Sequence, residues 1–260
     1  MELLKRINIK FIFKVREIIG FFRYLKSKKS YKSSNNQVFY SDFSENSLTI
    51  KKDESFKSFF LRVQKARDIK SNRVAKNVKS SLVYFSNAAK FIPFLIKYCN
   101  LKNTHKVLDY GSGGLRCGFG LLEYLETSSY SCADITDKFL KEAKLNSDLL
   151  SYLYINKKGN FYQIGIDNIP NNYYDLVISI YVICHIPKKE LEDYFSSINK
   201  FLKIGGKFYF DFIPAPFHLI QNSITYTYPY KVILKNLERF GFKIENTIGF
   251  GITAIKISNL

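Results

Sequence analysis

The sequence predicts an α/β fold: a doubly wound, mostly parallel seven-stranded sheet preceded by N-terminal helices. Three observations carry that prediction. From residue 104 onward, apolar runs of strand length alternate with amphipathic runs of helix length. Strands joined by helical crossovers form parallel sheets covered on both faces. The first strand breaks into the turn Gly111, Ser112, Gly113, Gly114, and a helical run follows at once. The last two strands leave too few residues between them for a crossover, and Gly249 lies there, so they must form a hairpin. That hairpin places one antiparallel strand at the C-terminal end of the sheet.

A chain of 260 residues suffices for one large domain and an appendage. Its 46% hydrophobic and 24% charged residues are ordinary globular usage. The net charge of +18 is unevenly placed. Residues 1–100 hold 22 Lys/Arg against 7 Asp/Glu, and residues 101–260 hold 18 against 15. The excess fits either an acidic partner, such as nucleic acid, anionic lipid or a phosphorylated substrate, or compositional drift in a chain rich in Lys, Asn and Ile. Cys99, Cys117, Cys132 and Cys184 form no C-x-x-C pair, which argues against a disulfide framework or zinc site. Free thiols in a reducing cytoplasm are the expectation. No apolar run approaches the roughly 18–20 residues of a membrane span, and the N-terminus is too evenly basic for a signal peptide. The protein is expected to be cytoplasmic, soluble or membrane-peripheral.

Three regions follow in order. Residues 1–50 read as a basic amphipathic helix (3–26) and a polar linker. The helix carries Leu4, Ile7, Phe11, Val15, Ile18, Phe22 and Leu25 at three- and four-residue spacing. It fits docking on its own domain or contact with an anionic membrane. Residues 51–103 read as a helical extension packing on the core, with helices over 54–79 and 81–99. Pro93 is expected to kink the second, and Asn100 to stop it. Residues 104–260 read as the cofactor-binding domain. Strands are expected over 106–110, 130–134, 160–164, 174–180, 206–213, 242–248 and 251–257, with helices over 115–126, 136–149, 187–203 and 230–240. No internal repeat is present.

A glycine turn after a first strand suits many cofactors, so the neighbouring acids decide. Gly111 and Gly113 supply G-x-G, but the third glycine of a dinucleotide fingerprint would fall at Arg116. Asp109, two places before the first glycine, would repel a pyrophosphate and suits a ligand bearing an ammonium and a sulfonium. Asp134 ends the second strand, where an acid accepts hydrogen bonds from ribose hydroxyls. A positive methionine end and a ribose together describe S-adenosyl-L-methionine.

The motifs V-L-D-Y-G-S-G, A-D-I-T, Y-Y-D-L-V-I-S-I-Y-V-I-C-H-I and L-K-I-G-G-K-F-Y-F-D-F resemble the class I S-adenosylmethionine-dependent methyltransferase family, across residues 104–257. The loop variant G-S-G-G-L-R-C-G-F is similar to a bacterial subgroup associated with small-molecule or saccharide methylation. The resemblance implies a Rossmann-like domain. It implies that Asp109, Gly111, Ser112 and Gly113 contact the methionine moiety, and Asp134 with Ile135 the ribose and adenine edge. Where relatives carry an adenine-binding acid, this chain has Gly165; either Asp167 substitutes, or the backbone of Ile166 and Asn168 does. Ser179, Ile180 and Tyr181 are expected to line the cleft beyond the fourth strand. His185 is a candidate base for an acceptor hydroxyl, with His218 a second candidate. No ligand spacing for a metal is present.

The function expected is therefore methyl transfer to a small-molecule or saccharide acceptor, at an oxygen atom. Tyr226, Tyr228 and Tyr230 are placed to stack on the acceptor or to pack a turn. Two alternatives stand beside it. A nucleic-acid methyltransferase suits the basic N-terminus, but S-I-Y-V stands where base-amino methylation carries N/D-P-P-Y. The other is a non-catalytic, membrane-peripheral binding module that retained the fold.

Overall fold

The computed structural model describes residues 14–19, 58, 91–115, 117–145, 148–222, 225–249 and 251–259. The expected linker over 27–50, the helix over 54–79 apart from Ser58, and residues 81–90 of the next helix lie outside the described residues. Residues 14–19 are helical, as are residues 91–99, which form α1.

From there the chain alternates. β1 (Val107–Tyr110), α2 (Gly118–Tyr124), β2 (Tyr130–Asp134), α3 (Lys138–Leu145), α4 (Asp148–Asn156) and β3 (Asn160–Gln163) make the first half. β4 (Tyr174–Ser179), α5 (Leu191–Phe201) and β5 (Leu202–Asp211) follow. Then come a small hairpin of β6 (Leu219–Asn222) and β7 (Thr225–Thr227), α6 (Tyr230–Arg239), β8 (Phe242–Ile248) and β9 (Gly251–Lys256). The seven-stranded sheet has the order β3-β2-β1-β4-β5-β9-β8, with β9 antiparallel to both its neighbours. Strand order reverses between β1 and β4. In open α/β sheets a ligand crevice opens at such a switch point, beyond the carboxyl ends of the strands.

Alternation along the strands divides the core. Leu108, Val177, Phe208 and Phe210 face the layer of α5 and α6, packing on Phe195, Ile198, Ile233 and Leu237. Val107, Leu176, Ile178 and Tyr209 face the opposite layer, where α1 and α2 contribute Leu95, Cys99, Leu121 and Leu122. The central strands β1, β4 and β5 therefore bury both sides, as a parallel sheet covered on two faces requires.

Four expectations are corrected. The helix expected from 115 starts at Gly118 because Leu115 takes φ 59°, which a right-handed helix cannot contain. The helix expected over 136–149 is two helices, α3 and α4, and the second runs on to Asn156. Ahead of α5, Lys188–Glu190 is a tight 3₁₀ turn rather than α-helix. The loop after β5 contains the β6–β7 hairpin.

Two long-range contacts tie the ends down. Glu17 accepts a hydrogen bond from Tyr230 N–H (2.7 Å), filling one of the unpaired donors at the start of α6. The described part of the N-terminal helix thus touches its own domain. Lys256 is buried, and its ammonium donates to the Asn199 and Leu202 carbonyls (both 2.8 Å) and to Asn172 Oδ1 (3.0 Å). A cation at the carbonyl end of α5 complements the helix dipole. Burial holds its pKa below the ordinary lysine value.

Candidate active site

A cleft of about 680 Å³ opens at the switch point, lined by the turn after β1, the end of β2, the turn after β4 and one flank of α5. Its floor is built by close backbone approach. Gly111 has φ 81°, and a Cβ there would lie 2.3 Å from Val182 Cγ2, so only glycine lets the two turns touch. Gly113, at φ 52°, has nothing within 4 Å of where its Cβ would be. Between them Ser112 is buried, lines the cleft, and its hydroxyl has no hydrogen-bond partner in the protein. On the cleft wall that hydroxyl is available to a bound ligand.

Two carboxylates frame this turn. Asp134 Oδ2 accepts the Gly113 N–H at 2.8 Å, which fastens the glycine turn to the end of β2. Burial raises the Asp134 pKa, while the N–H groups of Gly113, Ile135 and Thr136 work to lower it. Asp109 is more deeply placed, and the Tyr130 phenol donates to its Oδ2 at 3.2 Å. Burial pushes its carboxyl up to about 7; the Tyr130 hydrogen bond opposes this and the neighbouring Asp134 adds to it. Tyr130 reaches Asp109 past Gly118, where a Cβ would lie 2.2 Å from the phenol oxygen.

Ile180, Tyr181 and His185 also line the cleft, with Asp109, Gly111, Ser112, Gly113, Asp134 and Ile135. Two expected contact residues do not. Ser179 is fully buried under β1 and α5: its hydroxyl donates to the Tyr110 carbonyl (3.0 Å) and accepts from Tyr194 OH (2.7 Å). Asp167 folds back on its own loop, taking the Gln163 N–H at 2.6 Å, and lies outside the cleft lining. Its neighbour Ile166 is exposed and also outside the lining. The β3 end instead contributes Ile164.

His218 is likewise not on the cleft wall. It stacks on Tyr228 and Tyr226, with ring centroids 4.9 and 5.7 Å away. Its Nδ1 lies 3.0 Å from the Thr227 carbonyl; a carbonyl only accepts, so Nδ1 carries the proton. Tyr226, Tyr228 and Tyr230 are buried rather than open to stack on a ligand. The Tyr228 phenol donates to the carbonyl of Ile186, a cleft residue, so this aromatic group supports the cleft from behind.

The lining residues that sequence reasoning missed sit mainly on α5 and the turn before it: Glu190, Asp193, Tyr194 and Ser197. Their three- and four-residue spacing marks one helix flank, and that is the signal that could have found them. Among the described lining residues there are four carboxylates, Asp109, Asp134, Glu190 and Asp193, and no lysine or arginine. Burial raises the pKa of Glu190, which Lys189 lowers and Asp193 raises. No cluster of metal-ligating residues occurs among the described residues.

The arrangement suits a ligand that brings polar and positive groups to the glycine turn. The residues present fit S-adenosylmethionine: Ser112 and Asp109 would hold its amino-acid end, and Asp134 and Ile135 its nucleoside. Comparison with known proteins agrees with the architecture. Residues 108–208 match the family described as a methyltransferase domain. The magnesium protoporphyrin IX methyltransferase of Synechocystis PCC 6803, solved with S-adenosylmethionine, shares 17% identity at a TM-score of 0.57, covering 79% of this chain and 99% of that one. The 1,6-didemethyltoxoflavin-N1-methyltransferase of Burkholderia thailandensis, solved with S-adenosylhomocysteine, shares 14% at 0.55, covering 76% and 89%. A TehB-like S-adenosylmethionine-dependent methyltransferase from Corynebacterium glutamicum shares 16% at 0.51, covering 75% and 99%.

Proposed function

We propose that the chain, whose residues 108–208 match a methyltransferase domain, is a class I S-adenosylmethionine-dependent methyltransferase that methylates a small neutral or cationic molecule, at a hydroxyl oxygen. The observation that carries the choice of acceptor is the charge of the cleft. Beyond Asp109 and Asp134, which the donor takes, Glu190 and Asp193 line the described wall with no lysine or arginine, in a chain of net charge +18. The basic excess of the first hundred residues is not delivered to the described lining. A phosphorylated acceptor or a nucleic-acid backbone would meet like charge there, which disfavours the nucleic-acid alternative.

S-adenosylmethionine supplies a methyl group on a sulfonium, open to in-line attack. The protein's part is placement and water exclusion. The Gly111–Val182 contact fixes the spacing of the two turns, while Asp109 and Asp134 favour the positive donor. His185 stands on the cleft wall as the group to take the acceptor's proton. Four buried cysteines, none of them in a disulfide, favour a cytoplasmic setting, and no helix among the described residues is long and apolar enough to cross a membrane.

Calorimetric titration with S-adenosylmethionine tests the root of this reading, and absence of binding sinks it. Release of S-adenosylhomocysteine is then measured against neutral polyols and saccharides, amino alcohols, their phosphate esters, and RNA. Turnover with a phosphate ester or RNA in preference to the neutral and cationic compounds would overturn the acceptor assignment.

A further inference from the structure

Tyr181 follows β4 by two residues and has φ 57°, a backbone conformation that bulky L side chains rarely adopt. Its two backbone polar groups are held by side chains rather than by the sheet. The N–H donates to Asp211 Oδ1 at 2.6 Å, a charge-assisted bond. The carbonyl accepts the Cys184 thiol at 3.4 Å. Asp211 ends β5, where it pairs with Gly251, and the neighbouring Phe210 pairs with Ser179 at the end of β4. Its carboxylate therefore reaches across the sheet edge to catch a turn thirty residues earlier in the chain.

That turn is placed against the donor side of the cleft. Val182, the next residue, lies where a Cβ on Gly111 would be. The Tyr181 side chain is 59% exposed and lines the cleft. Asp211 is not among the lining residues. A left-handed tyrosine held at both backbone groups, lining the cleft one residue before the Val182 contact with the glycine turn, is a local strain that the rest of the fold maintains.

We propose that Asp211 is a positioning residue. Through the Tyr181 N–H it holds the turn after β4 so that the Tyr181 ring forms the cleft wall beside the methyl donor. The inference rests on the methyltransferase reading above, because the donor is the molecule the ring is placed against. The strain at Tyr181 is maintained by the Asp211 carboxylate, and an acceptor entering the cleft meets a ring whose position β5 sets.

The chain has no tryptophan, so Tyr181→Trp makes a single fluorescent reporter at this place. S-adenosylmethionine binding is read by calorimetry, and the response of the reporter by emission, in the reporter chain and in the same chain with Asp211→Ala or Asp211→Asn. The expected result is that S-adenosylmethionine changes the reporter's emission. Asp211→Ala lowers that change by about twofold or more while affinity stays within about fivefold, as loss of one hydrogen bond outside the ligand's contacts predicts. Asp211→Asn, which retains an acceptor oxygen, restores most of the response, something a general loss of stability would not do. Should Asp211→Ala fail to melt cooperatively, Asp211→Ser is judged by the same criterion. A response equal in all chains, or no response in a reporter chain that binds S-adenosylmethionine, overturns the role of Asp211. No binding in the unaltered protein overturns the methyltransferase reading instead.

Discussion

At the carboxyl end of β1 the chain turns on glycines, with the Ser112 hydroxyl left unpaired on the cleft wall. At the carboxyl end of β4 it turns on a tyrosine in a left-handed conformation, held by the carboxylate of Asp211 and the thiol of Cys184. The two turns touch at Gly111 and Val182. The first takes a shape that its closely spaced glycines permit, and its N–H groups are then held by Ala133 and Asp134 at the end of β2. The second is shaped by partners, one of them thirty positions away, so no stretch of sequence contains its cause. The glycine turn keeps its shape through its own backbone and is then fastened to β2 by Asp134, whereas the turn after β4 is held in its conformation by β5.

The strongest way to break this contrast is at the contact itself. Gly111→Ala combines a positive φ with a Cβ 2.3 Å from Val182 Cγ2, and should cost roughly 3 kcal/mol of stability along with the ability to bind S-adenosylmethionine. Gly113→Ala meets open space and should cost only about 1 kcal/mol, the left-handed strain alone. Thermal denaturation of both variants measures the difference; equal destabilisation would show that the Gly111–Val182 approach is unimportant.

Next in size is the acid on β2. Asp134→Ala removes the acceptor of the Gly113 N–H and the proposed ribose partner together. A loss of about 2 kcal/mol in binding, on the order of thirtyfold in Kd, is expected for a hydrogen-bonded charged group. Unchanged affinity by calorimetry would remove Asp134 from the nucleoside site.

A third prediction concerns pH. Burial holds Asp109 at about 7 in the protein without ligand, and a positive ligand favours its ionised form. Binding S-adenosylmethionine should therefore release protons near neutrality, and affinity should rise as the pH climbs through about 7. Titrations in two buffers of different ionisation heat count those protons, and Asp109→Asn should abolish the release. The same shift sets a stability trend. Since the folded-state pKa of about 7 exceeds that of an ordinary aspartate, the folded protein binds more protons than the unfolded chain between the two values. The contribution of Asp109 to stability then falls as the pH rises through that window.

The smallest expected effect tests a residue the structure removes from the cleft. Asp167 caps Gln163 in its own loop, so Asp167→Ala should leave S-adenosylmethionine affinity unchanged and lower stability by about 1 kcal/mol. A clear loss of affinity would return Asp167 to the binding site.

Much of the fold was legible because its causes are local. All seven strands of the main sheet announce themselves by apolar runs between turn residues, and the closing hairpin is forced by the short spacing at Gly249. Boundaries failed where the backbone departs from regular geometry for a reason no propensity records, as at Leu115, whose positive φ delays α2. The β6–β7 hairpin was missed although Thr225, Tyr226, Thr227 and Tyr228 alternate, because its strands are only four and three residues long and lie between prolines. In the site, His218 was misplaced because a histidine after a strand reads the same whether it faces the cleft or stacks behind it on Tyr226 and Tyr228. Ser179 was misread for a related reason. It stands at a strand's carboxyl end, but the pleat turns its hydroxyl into the core beneath Tyr194.

The sequence by itself determined the layered α/β architecture, the glycine turn and the acids that frame it, because hydrophobic period and backbone freedom act over a few residues. Tertiary structure alone decided which carboxylates line the cleft, that the described lining carries no lysine or arginine, and that Asp211 catches Tyr181. Those outcomes depend on strands β1, β4 and β5 lying side by side, an order the chain reaches only by crossing over the sheet, so residues far apart in sequence share one cavity.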